Sequence, residues 1–576
     1  MKIWLRGLFV SLSLVASVIG NGAAVLAAAP VDLAIVKPVV KSCAALADVD
    51  LTAIGGIGSK ITETTQTTSG GINVCSVKGT LAPAINFQVL LPSETWTQRY
   101  MQLGCGGLCG QITLTVGAAD SCEVYNDGGF VTAATDMGHG GGMGNDGSWG
   151  LDAQKREDFA YRAQHLTAEA SKALIKTFYG QPQRYAYFNG CSDGGREALM
   201  EAMRFSDDFN GVIAGAPAML FQVQNTLYHA WQAVSNTDSS GKVVLLTDRL
   251  PILHKAVVAA CDEFDGLKDG LVSNPAACKF DVATVTCATG ATDTSACLTS
   301  AEAEVARKFY EGPKDSRTGA HLTAGQPQFG SELDWAGVFV ADKADGALMS
   351  TSAALPAVRY LAFEKPDAKA TLASFQFTEE TLEALRPRHS FFDATSADLS
   401  AFQKAGGKLI LWHGLADPHI SPANTLSLHK ALQAQMGEGS VESFERLYLL
   451  PGVAHCGNGQ GPGNLDLLTA IMTWVEGGVA PDAIMTRSTS HASSFGAPAF
   501  GGKPPEGLKG GIPPKPKSEL PAMTRPVYPY PYIAHYKGTG DVYNASNWEK
   551  GEATETVKLR DWPGRSLFGS YHFTKK

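Results

Sequence analysis

Gly190-Cys191-Ser192-Asp193-Gly194 is a G-x-S-x-G pentapeptide set between the strand-like run RYAYFN and the helix-like run GGREALMEAMRF. A strand that gives way to a helix within five residues forces the central serine into a strained backbone, and the glycines leave room for neighbouring chain. The pentapeptide alone arises by chance in long glycine-rich chains. Its context, strand before and helix after, predicts Ser192 as a nucleophile held out at a helix N-terminus.

The surrounding pattern agrees. Between Phe87 and Ala218, short apolar runs rich in β-formers (FQVLLP, RYMQLG, GFVTAATD, RYAYFNG) alternate with helical stretches, the longest from Arg156 to Phe178. Such alternation predicts an α/β fold, a mostly parallel sheet with crossover helices on both faces. The pattern stops after GVIAGAPA (Gly211 to Ala218) and resumes at KLILWHG (Lys408 to Gly414), SFERLYLLPG and the amphipathic NLDLLTAIMTWVEGG. The expectation is an α/β-hydrolase fold over residues 30–218 and 396–576, interrupted by a lid domain over 219–395 that holds four cysteines and scattered aromatics such as Trp231, Trp335, Phe375 and Phe377. After Ala497 the chain turns rich in Pro, Gly and Lys, which predicts a surface tail closing over the hydrolase domain.

A serine hydroxyl is a poor nucleophile at neutral pH and needs an imidazole to take its proton, with a carboxylate to fix the imidazole's tautomer. In this fold the chain order is Ser, acid, His. Asp417 lies three residues past KLILWHG, and His455 follows the next apolar strand in LPGVAHCG, so both sit where strand ends deliver site residues. Among 13 histidines His455 alone combines a strand end, glycine neighbours and the right order. The rivals His139, His413 and His419 also lie in glycine-containing loops, but the last two are too near Asp417 in the chain and are read as structural or pocket-lining. Acyl transfer further needs donors for a developing oxyanion. Asp193 N–H is one candidate; the other is Cys105 N–H in Gly104-Cys105-Gly106-Gly107, with a plain glycine turn as the alternative reading of that stretch.

A net charge of −9 with no basic stripe argues against nucleic acid as a partner. Lys2 and Arg6, an apolar run from Gly7 to Ile19 and small residues over 25–29 predict a signal peptide ending near Ala27, hence a secreted or periplasmic protein; an uncleaved anchor is the alternative, although the run is short for a bilayer. No other segment is expected to span a membrane. Eleven cysteines without a C-x-x-C pair are expected to form disulfides, with one thiol left over. The stretch Asp262-Glu263-Phe264-Asp265-Gly266-Leu267-Lys268-Asp269-Gly270-Leu271 offers carboxylates and tight turns to a hard cation, although by spacing alone a solvated acidic turn fits as well.

Taken with the motifs GCGGLCG, ATDMGH, YFNGCSDGGREALM, GVIAGAPA, CDEFDGLKDGLV, HGLADP, LPGVAHCGNG and YPYIAHYKGTGD, the chain resembles the tannase and feruloyl esterase family, which also includes mono(2-hydroxyethyl) terephthalate hydrolase. The resemblance implies a disulfide between the residue before the nucleophile and the residue after the histidine, Cys191 with Cys456. It further implies Cys43 with Cys75, Cys261 with Cys278 and Cys287 with Cys297, and leaves one more bridge among Cys105, Cys109 and Cys122, with Cys105 as the cysteine most easily spared. By the same resemblance, Asp262, Asp265 and Asp269, with the carbonyls of Leu267 and Leu271, would hold a structural Ca²⁺, and no organic cofactor is expected.

The implied activity is hydrolysis of small aromatic acid esters, feruloyl esters first, with gallate esters or the terephthalate monoester as alternatives. An inactive exported polyphenol-binding protein is the reading from a different class. Two departures stand out. Compared with the terephthalate-ester enzyme, this chain has Val527 in place of a cysteine of the last pair, so the C-terminal segment must be held otherwise, and Ile420 stands where that enzyme has phenylalanine, which weakens that reading.

Overall fold

The computed structural model describes residues 29–142, 144, 146–488, 522–554, 559–571 and 573. The signal peptide expected over residues 1–27 and most of the Pro/Gly/Lys-rich stretch lie outside the described residues.

Nine strands form the central sheet: β1 (Lys60–Ser69), β2 (Ile72–Leu81), β3 (Ile85–Pro92), β4 (Arg99–Leu103), β5 (Phe130–Thr135), β6 (Tyr185–Cys191), β7 (Gly211–Gly215), β8 (Lys408–Gly414) and β9 (Glu445–Leu450). Their order is β1-β2-β3-β5-β4-β6-β7-β8-β9. From β5 to β9 neighbours run parallel, while β1, β2 and β3 add an antiparallel flank. The parallel strands read as continuous apolar runs because both faces are covered. Tyr100, Phe188, Val212 and Leu409 face a core that includes Leu166, Leu174 and Leu199 from helices α1 (Ala163–Tyr179) and α2 (Asp193–Arg204). Their chain neighbours Met101, Tyr187, Ile213 and Ile410 face a second core that includes Leu468 and Ile471.

The β1–β2 hairpin had no place in the sequence expectation. Its signal is a threonine-rich alternation turned by Gly70-Gly71, both at positive φ, but its outer strand is largely exposed and lacks the apolar alternation that marks a half-buried strand.

β7 and β8 are hydrogen-bonded neighbours, Gly215 pairing with Trp412, although the whole insertion separates them in the chain. Among the described residues the insertion contributes helices and no strand to the sheet. Its middle has a core of its own, in which Leu253, Val257, Phe309, Trp335 and Phe339 gather around helices α3 (Leu250–Cys261) and α4 (Ser300–Glu311). Its two ends, including Met219, Phe221, Leu227, Leu382 and Phe392, pack instead into the main core.

After β8 come α5 (Pro422–Met436) and, beyond β9, α6 (Leu467–Gly477), which supplies Leu468 and Ile471 to the second core. The described part of the C-terminal segment packs onto the hydrolase domain. A small antiparallel sheet joins β10 (Asn464–Leu465), β11 (Ile484–Arg487) and β12 (Thr524–Val527), and Pro526 is tolerated because β12 is its edge. Val527 is buried opposite Ile484, so strand pairing and packing hold the segment without a disulfide. Further on, Trp562, Leu567 and Phe568 are buried in the main core, the apolar burial that an average over a Pro/Gly-rich region conceals.

Candidate active site

The strand order reverses direction of growth between β4 and β6, and in open parallel sheets the crevice at the carboxyl ends of such strands receives ligands. The ends of β4, β6, β8 and β9 carry the predicted site residues.

Ser192 follows β6 and precedes α2, with φ 65° and ψ −124°. A non-glycine residue there is strained by about 1–3 kcal/mol, and its neighbours hold it: its N–H donates to Gly215 O at 3.0 Å, and its carbonyl accepts from Ala218 N–H at 2.9 Å. A Cβ on Gly190 would lie 2.2 Å from Gly194 O, so the turn closes only with glycine at that position.

Asp417 and His455 meet directly. His455 Nδ1 lies 2.7 Å from Asp417 Oδ2, both residues being buried. A carboxylate oxygen accepts, so Nδ1 carries the proton and Nε2 keeps the lone pair. The other carboxylate oxygen, Oδ1, accepts the N–H groups of His419 at 2.8 Å and Ile420 at 2.9 Å. Burial would raise the Asp417 carboxyl, but the charge of His455 and hydrogen bonds from His413 and His455 overcome it and hold the group well below the usual carboxylate range. The bridge between Cys191 and Cys456 places the chain neighbours of Ser192 and His455 at a Cα separation of 5.9 Å, across 265 residues of sequence.

His413, read from sequence as structural or pocket-lining, has a definite job. Its Nε2 lies 3.1 Å from Asp417 Oδ2 and 3.0 Å from Ile420 O, both acceptors, so Nε2 donates; Nδ1, 2.8 Å from Thr425 Oγ1, then accepts in the neutral ring. His139 is structural: Nε2 lies 2.7 Å from Leu108 O and the ring stacks on Trp149. The insertion also reaches the site. Gln224 donates to His419 O, Tyr228 OH donates to Pro418 O at 2.9 Å, and the His229 ring lies 4.5 Å from that of His419, which lies 4.8 Å from His455. Sequence reasoning missed these contacts because about 190 residues separate the partners.

The two expected oxyanion donors fare differently. Asp193 opens α2, where a first-turn N–H has no acceptor within its own helix. The N–H of Cys105 requires a correction: it donates to Glu197 Oε2 at 3.2 Å, so it is already engaged by a buried carboxyl group that the local sequence around Cys105 could not reveal.

A model of the family "Tannase and feruloyl esterase" matches residues 69–550. The chain belongs to that family. It is a carboxylic ester hydrolase. The esterase is 29% identical over 549 residues to mono(2-hydroxyethyl) terephthalate hydrolase of Piscinibacter sakaiensis, covering 82% of this chain and 84% of that one. It is 31% identical over 498 residues to a probable feruloyl esterase of Arthroderma benhamiae, covering 83% and 86%. Among solved structures it resembles feruloyl esterase B from Aspergillus oryzae, with a TM-score of 0.72 at 25% identity over 88% of this chain and 100% of that one.

The esterase carries five disulfides: Cys43–Cys75, Cys105–Cys109, Cys191–Cys456, Cys261–Cys278 and Cys287–Cys297. The expectation that Cys105 is the spared cysteine is overturned. Cys105 and Cys109, four residues apart in one turn, bond to each other, and the buried Cys122 keeps its thiol among apolar neighbours such as Met472. Among the described residues no helix is long and apolar enough to cross a membrane.

The acidic loop of the insertion folds back on itself: Asp262 accepts from Gly270 N–H at 2.9 Å, Asp265 from Leu267 N–H and Asp269 from Leu271 N–H, each at 3.1 Å. Arg525 of β12, absent from the sequence expectation, pairs with Asp269 and reaches within 3.8 Å of Asp265. Two of the three carboxylates thus face one guanidinium. Burial and then the charge of Asp269, against the opposing pull of Arg525, push the Asp265 carboxyl up to about 7. Asp262 Oδ1 is buried with no hydrogen-bond partner among the described residues. An all-oxygen donor set with uncompensated negative charge and an unsatisfied buried oxygen fits a hard divalent cation.

Proposed function

We propose that this esterase hydrolyses small aromatic acid esters, feruloyl esters first, through an acyl-enzyme on Ser192 with His455 as general base and Asp417 as its acid partner. The observation that carries the reading is the 2.7 Å bond from His455 Nδ1 to Asp417, made next to a disulfide that anchors His455 beside the Ser192 turn. With Nδ1 committed to Asp417, Nε2 takes the Ser192 hydroxyl proton as Oγ attacks the ester carbonyl. Asp193 N–H and an amide of the turn after Cys105 receive the oxyanion. Collapse breaks the ester bond, and the leaving alcohol takes the proton from His455. Water then attacks the acyl-enzyme, again giving a proton to His455, and the aromatic acid leaves as Ser192 recovers its own. Asp417, held ionised, stabilises the imidazolium at both stages.

The acyl preference is supported by relatives named as feruloyl esterases. Five disulfides support the reading of an exported, secreted or periplasmic enzyme. A structural Ca²⁺ held by Asp262, Asp265 and Asp269, with carbonyls of Leu267 and Leu271, is part of the proposal, and the middle of the insertion acts as a lid, while Gln224 and Tyr228 at its start hold His419 and Pro418.

The test is acid release from methyl ferulate, methyl gallate and the terephthalate monoester by wild type and Ser192→Ala. Wild type should hydrolyse methyl ferulate fastest, and the variant should lose at least about 10⁴-fold in kcat. Equal activity in both proteins would overturn the nucleophile, whereas preference for another ester would change the substrate alone.

A further inference from the structure

Glu197 stands one turn along α2 from Asp193, 2% exposed, and no step of the mechanism uses it. Its Oε2 accepts the Cys105 N–H at 3.2 Å and the Gln164 side-chain N–H at 2.5 Å. Its Oε1 lies 2.8 Å from Cys105 Sγ and 3.2 Å from Cys109 Sγ. Those sulfurs are bonded to each other and have no proton to give, so any hydrogen at this contact belongs to the carboxyl group. Burial first, then the charge of Asp193, pushes the Glu197 carboxyl well above its usual range despite Arg196. Arg196 is committed elsewhere, with Nε 2.7 Å from Asp193 Oδ1 and Nη2 2.9 Å from Asp193 Oδ2.

Glu197 is therefore a buried acid whose uncharged form is favoured, with fixed partners on either side. Gln164 is itself anchored, its backbone carbonyl and Oε1 accepting from Gln102 Nε2 at 2.7 and 2.5 Å, and Gln102 Oε1 accepts from Tyr100 OH. On the loop side there is no slack: a Cβ on Gly104 would lie 2.5 Å from Gly194 Cα and 2.9 Å from Glu197 Oε2. The turn at the end of β4 is thus pressed onto the first turn of α2, and Glu197 is the side chain that receives it.

We propose that Glu197 is a positioning residue of this esterase: by capturing the Cys105 N–H and seating the Cys105–Cys109 turn, it sets where the following amides of that turn face the Ser192 oxygen. The proposal rests on Ser192 as nucleophile. A donor displaced by an ångström costs about a hundredfold in rate, because oxyanion stabilisation depends on a preorganised distance.

The experiment compares wild type, Glu197→Ala, Glu197→Met, Glu197→Gln and Ser192→Ala on p-nitrophenyl acetate, a probe independent of acyl preference. Active sites are titrated by fluorophosphonate, and folding is checked by circular dichroism and Tm. Per active site, Glu197→Ala and Glu197→Met should lower kcat about 30- to 100-fold with KM within about threefold, and Glu197→Gln, which keeps an acceptor for Cys105 N–H, should recover to within about fivefold of wild type. A residue that only supports the fold would lower Tm and the number of titratable sites while leaving kcat per site unchanged. That result, or a Gln variant as poor as Met, overturns the proposal. Should Glu197→Ala fail to fold, the Met and Gln pair decides. Failure of the underlying reading shows separately, as turnover by Ser192→Ala.

Discussion

At Ser192 a left-handed backbone, at Asp417 two backbone N–H donors and two imidazoles, and at His455 a fixed tautomer together describe a site built before any substrate arrives. The second imidazole on Asp417, from His413, keeps the carboxylate ionised and oriented even if His455 moves. The histidines behind it carry a pH signature. Burial first, then the charge of His455, brings His229 down to about 3 against the opposing pull of Asp417, and burial, with His229 and His455, holds His419 well below the ordinary range. Both rings stay neutral in the folded protein while the unfolded chain takes up protons below about pH 6.5. The unfolded state then binds more protons, so stability is fully present above that pH and falls as pH drops, by about 1.4 kcal/mol per pH unit for each ring. Urea denaturation at pH 7, 6, 5 and 4 should show this fall, and His229→Gln should reduce the slope by about one proton. An unchanged slope in the variant would mean that the His229 ring is not held neutral.

At the scale of elements, the site is an alignment of strand ends, and the Cys191–Cys456 bridge joins two of them. Closing a loop with a sequence separation of 265 removes far more unfolded-state freedom than the separation of 10 closed by Cys287–Cys297, about 5.6 against about 2.7 kcal/mol in the chain-entropy account. The functional contrast should be larger. Replacing Cys191 and Cys456 together by serine should lower kcat about 10- to 100-fold, because small misalignments of base and nucleophile are costly. Replacing Cys287 and Cys297, in the separately packed part of the insertion, should lower Tm and leave kcat within about twofold. Equal kcat effects from the two pairs, measured per folded molecule, would deny the first bridge its aligning role.

Over the whole molecule, two bodies of packing meet at the acidic loop. The insertion supplies Asp262, Asp265 and Asp269, and the C-terminal segment supplies Arg525, whose guanidinium also stacks 3.9 Å from the Trp548 ring. A divalent cation there would join the insertion to the C-terminal segment. Removing it with a chelator should lower Tm by at least about 3 °C, recoverable with Ca²⁺, while Asp265→Asn should blunt the response. Thermal melts that ignore both chelator and Ca²⁺ would exclude a structural calcium.

The sheet was legible in the chain, since apolar runs long enough for buried strands alternate with helical stretches, and Ser192, Asp417 and His455 could be singled out as candidates because strand ends, glycines and chain order are local signals. The chain also marks the insertion, where that alternation stops. What meets these residues emerges only in the folded chain: His413 on Asp417, Gln224 and Tyr228 on the following loop, Glu197 on the Cys105 amide, Arg525 among the aspartates, and Cys109 rather than Cys122 on Cys105. Periodicity records which face of an element is buried, whereas a buried polar group takes its partner from whatever chain arrives beside it, which here is often 90 to more than 250 residues away.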